Sequence, residues 1–493
     1  MASLVMSHQS LPVVCAISAS DSSGHAGHQC DLRVIQDLGC HGTSVISGIT
    51  AQNSETLSAV EVTSSALFES QLDSLLSDLS ISSIKTGLLL SGEQIDSLIH
   101  KLSSSVIPLV VDPVLSTSTE GYISSSHLLG NYQRLLPITQ LFTPNIPEAE
   151  RLLHQSLNND GDIEKAAKAF RRMGAAAVLI KGGHRDTLNY LYDYFDDGRH
   201  RFWLRQSRQE SSHTRGTGCA LASAAACFIA QGKETLDAVV LASAYISQGI
   251  GHGFSIGKGN GLLANRGWPE DILDYPQLAT SRARFDRYEF PRCEQQHLGL
   301  YPIVDSIEWL RKLLELGVNT IQLRVKDIAE ASLEKIVSEA VVLGRKFNAR
   351  LFINDHWQLA IKHGAYGVHL GQEDLDFASL DAIAEAGLRL GLSSHSEYEW
   401  LRAASVKPSY IAMGAVFASS SKDVKTIGLE YLKRWTSTLN QAFATVAIGG
   451  ITENNIDDVM ACEVGSCAVI SAITKSDDYQ AATQRLLMKF PLS

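Results

Sequence analysis

The chain has 493 residues, which is too many for one ordinary hydrophobic core, so its length predicts at least two domains. Hydrophobic residues make up 45% of the chain and charged residues 19%, as is typical of a soluble globular protein. The net charge of −11 argues against general binding to nucleic acid or anionic membranes, although a few local cations are enough for small phosphorylated ligands.

Eight cysteines are scattered singly along the chain. Because none forms a CxxC pair, the pattern argues against a structural zinc site and fits a reducing compartment. Residues 1–14 carry no basic region before the apolar residues and do not resemble a signal peptide. The longest uncharged helical run, 216–232, is too short and too weakly apolar for a membrane span. These features predict a cytoplasmic protein.

Residues 13 to about 265 alternate apolar strand segments with amphipathic helical segments, an order that predicts a largely parallel, three-layer α/β domain. The strand segments include 13–18, 43–49, 108–114 and 176–182, and the helical segments include 65–79 and 163–174. An Asp-Gly turn between 190–195 and 199–205 predicts a hairpin at one edge of the sheet. We assign residues 1–267 to this domain.

Residues 268–297 interrupt the alternation of strand and helical segments with three prolines and many charges, which predicts a linker before a second domain at 298–493. From Leu300 to Thr474 the chain shows eight strand–helix repeats. The predicted strands are 300–305, 320–326, 349–355, 366–371, 388–395, 409–414, 445–450 and 466–472. This pattern predicts a TIM (β/α)8 barrel, whose chemistry lies on the loops that follow the strands.

One motif of the first domain, 213–226, places Gly216, Thr217 and Gly218 directly before a helix. Backbone N–H groups at a helix N-terminus form an anion site, and glycines let a phosphate approach closely. Cys219 stands at the helix start, where a thiol pKa tends to fall, so it is predicted to accept a proton from a substrate hydroxyl. A tight turn before a packed helix, with Cys219 as a small buried residue, explains this motif equally well.

Three other strand ends of the first domain carry polar residues. Asn145 and Glu148, three residues apart at a strand-to-helix junction, suit water and Mg²⁺ beside phosphates. Lys181 is followed by two glycines and suits a nucleotide phosphate, and Asp112 ends another strand. Each of these residues alone could be explained by turn formation. The prediction of a nucleotide site therefore depends on their occurring together and in this order.

The first domain resembles the hydroxymethylpyrimidine/phosphomethylpyrimidine kinases, which have the ribokinase-like fold. The resemblance rests on 20–32, 45–53, 110–121, 143–150, 180–184 and 216–224. It implies that Asp31 and Gln52 hold the pyrimidine and that Cys219 is catalytic in the anion hole. It places Lys181 near ATP and Glu148 near Mg²⁺. Asn145, Gly216, Thr217 and Gly218 complete the residues predicted from their motifs to bind the nucleotide phosphates and Mg²⁺.

Three residues depart from the pattern of these kinases. Ala19 and His25 stand where the family usually has glycine, and Arg215 stands where it commonly has histidine. A side chain at 25 is expected to narrow the first glycine turn. Two alternatives therefore stay open for this domain: a kinase for a related vitamin, such as a pyridoxal-type kinase, and a ligand-binding module that no longer transfers phosphate.

In the predicted barrel, strand alternation points Gln322, Arg324 and Lys326 to one side, which places an amide and two cations over one ligand. Asp355 and Asp374 end the next two strands and suit one shared Mg²⁺ that also binds phosphate oxygens. A magnesium-bound diphosphate flanked by Arg and Lys is a good leaving group, because the charge developing on it is stabilised.

The loops after the last three strands are also typical of phosphate binding. Ser419, Ser421 and Lys422 offer two hydroxyls and a cation, and 447–452 and 469–474 end strands whose loops commonly bind phosphate in barrels. The polar residues of any single loop could be turn residues or solvated charges. That explanation does not account for phosphate-binding residues in all the loops of one face.

The second domain closely resembles thiamine-phosphate synthase from Leu300 to about Leu486. The resemblance implies that Asp355 and Asp374 bind Mg²⁺ and that Arg324, Lys326 and Lys422 assist catalysis. Residues implied to contact the pyrimidine diphosphate are Gln322, Leu323, Arg324, Val325, Lys326, Asn354, Ser393 and Lys422. Residues implied to contact the thiazole phosphate are Ser419, Ser420, Ser421, Gly450, Ile470 and Ser471.

Together the resemblances predict a bifunctional enzyme of thiamine synthesis. The first domain would phosphorylate hydroxymethylpyrimidine and its monophosphate with Mg-ATP, and the barrel would couple the resulting diphosphate to thiazole phosphate. The predicted partners are these small molecules, with ATP as co-substrate and Mg²⁺ at both sites, and neither nucleic acid nor membrane. A homo-oligomer is compatible with the sequence.

Overall fold

The protein is described here from a computed structural model that covers residues 11–115, 126–183, 189–293, 297–326, 328–418 and 425–490. The chain divides into two compact units, Met1–Arg282 and Ala283–Ser493. Within the described ranges, no helix is both long and apolar enough to cross a membrane.

The first unit is built on one ten-stranded sheet with the order β10-β9-β8-β7-β6-β5-β4-β1-β2-β3. Its strands are β1 (Val13–Asp21), β2 (His41–Gln52), β3 (Leu57–Val62), β4 (Ile81–Thr86), β5 (Leu109–Val111), β6 (Leu141–Phe142), β7 (Val178–Ile180), β8 (Tyr190–Asp196), β9 (Arg201–Ser207) and β10 (Gln277–Ala279). The strands from β1 to β7, apart from β3, pair in parallel, while β3, β8, β9 and β10 pair antiparallel. The predicted parallel α/β sheet is confirmed.

The helices of this unit form two packed groups. They are α1 (Gly27–Asp37), α2 (Ser65–Asp78), α3 (Gly92–Leu102), α4 (Ser126–Leu135), α5 (Ile146–Leu153), α6 (Asp160–Arg172), α7 (Thr217–Ala230) and α8 (Thr235–Gly251). One group joins α1, α7 and α8, and in the other α2 to α6 contact each other in sequence order. The apolar helix α7, predicted to be buried, packs against β4 and β5 and brings its N-terminus to the carboxyl ends of the parallel strands.

The segment 268–297, predicted to be a linker, is largely incorporated into the two units. Gln277–Ala279 forms β10 and pairs with β9, so the predicted hairpin β8–β9 is paired on both sides and β10 is the edge strand. Phe290 belongs to the second unit and is buried, and its N–H donates to the Lys407 carbonyl. Pairing with an exposed strand edge needs only three residues and no apolar periodicity, which is why the sequence pattern did not indicate it.

The second unit is a closed barrel of eight parallel strands in sequence order, which confirms the predicted TIM barrel. The strands are β11 (Gly299–Val304), β12 (Thr320–Leu323), β13 (Arg350–Asn354), β14 (Gly367–Leu370), β15 (Arg389–Ser394), β16 (Tyr410–Met413), β17 (Ala444–Ile448) and β18 (Ser466–Val469). Helices are α9 (Ile307–Glu315), α10 (Glu330–Lys346), α11 (Trp357–His363), α12 (Leu380–Glu385), α13 (Glu397–Ser405), α14 (Gly428–Leu439), α15 (Ile456–Met460), α16 (Ser471–Thr474) and α17 (Tyr479–Met488).

The barrel interior is filled by large aromatic side chains, among them Tyr301, Phe352 and Tyr410, whose ring centroids lie 5.1 to 5.8 Å apart. The rings fit because a neighbouring strand carries glycine. A Cβ atom added to Gly391 would lie 2.1 Å from Cζ of Tyr410. Glycine at this position is therefore required by packing rather than by backbone conformation.

Gly391→Ala should destabilise the barrel by about 1–3 kcal/mol, because the interior has no room for the added methyl group. Gly130→Ala in α4 is the control, since among the described residues nothing outside its own helix backbone lies within 4 Å of its Cβ position, and it should be neutral or slightly stabilising. Urea unfolding of each variant gives both values. An unchanged midpoint for Gly391→Ala would contradict the packing seen here.

Candidate active sites

In the first unit, the glycine motif lies against the two strand-end residues predicted to accompany it. Gly216 has φ +77°, and a Cβ atom there would lie 2.4 Å from the His25 carbonyl oxygen, so glycine is required. A Cβ atom on Gly218 would lie 3.3 Å from Lys181 Nζ and 3.6 Å from Asp112 Oδ2. The N-terminus of α7 therefore faces a cation and a carboxylate, and Thr217 Oγ1 closes the turn by donating to the Thr214 carbonyl at 3.0 Å.

Lys181 and Asp112 form an ion pair with 2.8 Å between Nζ and Oδ1. Burial lowers the pKa of Lys181, but the carboxylates of Asp112 and Glu148 outweigh that effect and raise it. Lys181 consequently stays charged at the mouth of the α7 anion site. An ammonium group held in this way can receive a nucleotide phosphate without further reorganisation.

The three-residue spacing of Asn145 and Glu148 has a structural cause. Asn145 caps α5 by accepting from the Glu148 N–H at 2.8 Å, and the Glu148 carboxylate accepts from the Asn145 N–H at 2.8 Å. This is a capping box. Burial raises the pKa of Glu148 to about 7, against the opposing charge of Lys181. Magnesium binding by Glu148 stays a prediction, since capping alone explains the spacing.

The expectation of a lowered thiol pKa at Cys219 is wrong. Burial raises the pKa of Cys219 to about 11, and the nearby Lys85 ammonium offsets only part of that effect. Desolvation of a thiolate thus outweighs the favourable field of the helix N-terminus. The thiol is protonated at neutral pH in the ligand-free protein.

Asp31, predicted to hold the pyrimidine, lies in the core and is 0% exposed, and its contact with the pyrimidine stays a prediction. Its Oδ1 accepts from Lys85 Nζ at 2.8 Å and from Ser223 Oγ at 2.9 Å, and its Oδ2 accepts from Ser18 Oγ at 2.8 Å. The side chain of Lys85 is also fully buried. The sequence carried little signal for this pair, because only two of the six residues of β4 are apolar and its burial is not visible in the sequence.

Gln52, the other predicted pyrimidine contact, lies at the end of β2 and is half-buried. Its Nε2 donates to Asp21 Oδ2 at 3.0 Å, and the same oxygen accepts from the Ala26 N–H at 2.8 Å. Asp21 was missed in the sequence, where it appeared as one of several polar residues of a glycine-rich turn. It fixes both the turn and the amide of Gln52.

The three departures from the kinase pattern are all buried. His25 joins two loops: Nδ1 lies 2.9 Å from Ser23 Oγ and Nε2 lies 3.2 Å from the Ile256 carbonyl oxygen. Arg215 donates from Nη1 to the Ser54 carbonyl at 2.7 Å, whereas its Nε and Nη2 have no hydrogen-bond partner among the described residues. The side chains of His25 and Arg215 therefore tie loops together in this unit.

In the second unit, Asp355 and Asp374 follow β13 and β14. Asp355 has φ +63°, and its N–H donates to the His369 carbonyl at 3.0 Å, while Asp374 Oδ2 accepts from the Gly371 N–H at 2.8 Å. Burial and then the charge of Asp374 raise the pKa of Asp355, so the two carboxylates repel each other. A divalent cation would relieve this repulsion, and oxygen ligands suit Mg²⁺.

The predicted cations lie beside this acidic pair. Arg324 and Lys326 both act to lower the pKa of Asp355, which places their charges near its carboxylate. β12 ends at Leu323, three residues earlier than predicted, so these cations stand on the loop after the strand. Gln322 and Asn354 are buried at the strand ends. Among the described residues, no group of three His, Cys, Asp or Glu side chains is placed to hold a metal.

The loops after the later strands are tightly packed. Gly449 and Gly450 have φ +102° and +63°, and a Cβ atom on Gly450 would lie 2.6 Å from the Ala418 carbonyl oxygen. Ile470 precedes the short helix α16, which starts at Ser471. The predicted phosphate ligands Ser419, Ser420, Ser421 and Lys422 lie outside the described residues.

The first unit has a lysine at the N-terminus of the buried helix α7, and the barrel has paired carboxylates and cations at its carboxyl end. These features fit a two-domain transferase of small phosphorylated molecules. Family models agree: the phosphomethylpyrimidine kinase model matches residues 21–264, and the thiamine monophosphate synthase model matches residues 300–473.

Known proteins resemble each half separately. The thiamine-phosphate synthase of Serratia proteamaculans is 55% identical over 192 residues, which is 38% of this chain and 90% of that protein. The Photorhabdus laumondii thiamine-phosphate synthase is 54% identical over 195 residues, which is 39% of this chain and 90% of that protein. The structure of pyridoxal kinase from Staphylococcus aureus in complex with ADP is 30% identical, with a TM-score of 0.50, and covers 55% of this chain and 98% of that one. The chain belongs to the thiamine-phosphate synthase family in its second half and carries a phosphomethylpyrimidine kinase domain in its first.

Proposed function

We propose that the two halves catalyse consecutive steps. The first unit phosphorylates hydroxymethylpyrimidine and then its monophosphate with Mg-ATP, and the barrel couples the diphosphate ester to thiazole phosphate, giving thiamine phosphate and diphosphate. The observation that carries this proposal is the pairing of Asp355 with Asp374 beside Arg324 and Lys326 at the carboxyl end of the barrel. We expect the chain to act in the cytoplasm, since all eight of its cysteines are free thiols.

In the barrel, Asp355 and Asp374 would hold Mg²⁺ together with diphosphate oxygens, and the ion would supply Lewis-acid stabilisation there. Arg324 and Lys326 neutralise the charge that grows on the diphosphate as its bond to the methylene carbon breaks. Gln322, Asn354 and Ser393 orient the aminopyrimidine, whose electron-rich ring stabilises a cationic methylene. The thiazole nitrogen then attacks that carbon, and the protein needs no general base.

In the first unit, the N–H groups at the start of α7 bind the phosphoryl group being transferred, and Lys181 neutralises the nucleotide. Cys219 is the third residue of α7, so it would lie beside the transferred group. Because its thiol is protonated at neutral pH, it serves as a hydrogen-bond donor unless a bound substrate lowers its pKa.

Cys219→Ala should lower synthesis of thiamine phosphate from hydroxymethylpyrimidine by roughly a hundredfold. A loss of this size is typical when one hydrogen-bond donor to the transition state is removed. Synthesis from the pyrimidine diphosphate should stay at the level of the unmodified chain, since that substrate bypasses the kinase. Cys227→Ala, in the buried core of the same helix, is the control for helix packing. Unchanged phosphorylation of the alcohol by Cys219→Ala would remove this residue from the mechanism.

The first unit also has a second candidate substrate, because its fold matches that of a pyridoxal kinase. Comparing ADP release with hydroxymethylpyrimidine and with pyridoxal decides between the two. The whole proposal is tested by mixing the purified chain with hydroxymethylpyrimidine, thiazole phosphate and Mg-ATP and measuring thiamine phosphate by mass. Binding of the pyrimidine without ADP release would contradict the kinase half.

A further inference from the structure

A chain of buried hydrogen bonds crosses the interior of the barrel and ends at Ser393. Tyr301 Oη lies 2.8 Å from Tyr410 Oη, and Tyr410 Oη lies 2.7 Å from His369 Nδ1. His369 Nε2 lies 2.8 Å from Ser393 Oγ. Tyr301, Tyr410 and His369 are 2%, 0% and 8% exposed, and the four side chains come from four different strands.

Burial keeps each member of this chain neutral. It raises the pKa of Tyr301 and of Tyr410 well above the ordinary value, and it lowers the pKa of His369 to about 4. The guanidinium of Arg324 adds to the lowering at His369, because a second cation would be repelled. Between about pH 5 and pH 9, the His369 ring therefore carries one N–H only.

A proton count restricts the orientation of the chain. Four hydrogens, from two phenols, one imidazole and one hydroxyl, serve three links, so one hydrogen is left over, and it lies at an end when all three links run in one direction. If Tyr410 donates to Nδ1 of His369, then Nε2–H donates to Ser393, and the Ser393 hydroxyl hydrogen is free for a ligand. The reversed chain would make Ser393 donate to His369 and leave the Tyr301 hydrogen unused in the core.

Either phenol can donate in the link between Tyr301 and Tyr410, and both orientations keep Ser393 hydrogen-bonded to His369. His369 also stacks on the Tyr410 ring, with 5.7 Å between centroids and 16° between planes, which fixes the imidazole in place.

We propose that Tyr301, Tyr410 and His369 are positioning residues that hold the Ser393 hydroxyl in place against the aminopyrimidine. The inference rests on the proposed function, because Ser393 contacts this ligand only if the barrel binds the pyrimidine diphosphate. In the first orientation the hydroxyl can donate to a ring nitrogen, and in the reversed one it can accept from the amino group.

A double-mutant cycle in the full chain tests this role. Tyr410→Phe should raise KM for the pyrimidine diphosphate about tenfold, as expected for one oriented hydrogen bond. In a Ser393→Ala background the same change should alter KM less than about twofold, because the residue acts through Ser393. Tyr366→Phe is the control: it removes another phenol that packs edge-on against Phe352 and should have no effect in either background. Equal effects of Tyr410→Phe in both backgrounds, or no effect of Ser393→Ala, would overturn the proposal.

A measurement without substrate separates this inference from the proposed function. In the full chain labelled with ¹⁵N-histidine, the signals of His369 are those lost in His369→Gln. The proton should reside on one ring nitrogen only, because both neighbours of the ring are fixed. A mixture of the two tautomers would contradict the network. If the unmodified chain formed no thiamine phosphate, the proposed function would fail while the single tautomer was still observed.

Discussion

Asp355→Asn should lower thiamine phosphate formation from the pyrimidine diphosphate by at least roughly a hundredfold, while ADP release by the kinase half stays unchanged. Asparagine is the sharpest substitution here because Asp355 has a left-handed backbone, φ +63°, which asparagine tolerates well. Only the charge is removed. The loss would follow from weaker binding of the divalent ion that the two carboxylates are proposed to share.

Two further measurements accompany this variant. The ligand-free protein should not lose stability, because burial and Asp374 already raise the pKa of Asp355 and its charge is unfavourable when folded. Asp381→Asn is the matched control, since this carboxylate is exposed and paired with Arg287 at 2.8 Å. Its coupling rate should be unchanged. Equal loss of coupling and of ADP release in Asp355→Asn would contradict the assignment of phosphorylation to the first unit and of coupling to the second.

Asp31→Ala should destabilise the first unit by about 3–5 kcal/mol, because it leaves the fully buried Lys85 ammonium without its partner. The hydroxyls of Ser18 and Ser223 would lose their acceptor as well. Urea unfolding followed by loss of ADP-forming activity measures this effect. Coupling by the barrel should persist at urea concentrations where the kinase activity is gone.

The control for Asp31 is Asp96→Ala, which removes an exposed partner of Arg134 at 2.7 Å. Such a pair contributes about 0–1 kcal/mol, so little change is expected. Replacing both members of the buried pair, with Asp31→Leu and Lys85→Met, should recover part of the lost stability. If Asp31→Ala were fully stable and only raised KM for hydroxymethylpyrimidine, Asp31 would be a ligand contact after all.

The architecture of the second unit was largely predictable from the sequence. Eight apolar segments alternate with amphipathic ones, and all eight form strands of a closed barrel. Asp355 and Asp374 were recognisable because each follows an apolar strand, and the ends of parallel strands meet at one face. Only the strand bounds differed, as with β12, which ends before Arg324 because the chain leaves the ladder there.

The network from Tyr301 to Ser393 could not be predicted, although every member was visible. In the sequence, Tyr301, His369 and Tyr410 are ordinary strand residues separated by 109 positions at the widest. Their hydrogen bonds arise only because barrel closure brings β11, β14, β15 and β16 around one axis. Sequence periodicity reports which face of a strand is buried, and it carries no information on which strand lies opposite.

The sequence by itself determined the two domains, their fold classes and the acidic pair of the barrel, because these depend on local periodicity and on residues that end strands. The tertiary structure alone decided the protonation of Cys219, the core position of Asp31 and the burial that raises the pKa of Glu148. Desolvation and the identity of a partner depend on distances between segments far apart in the chain, and those distances exist only in the folded protein.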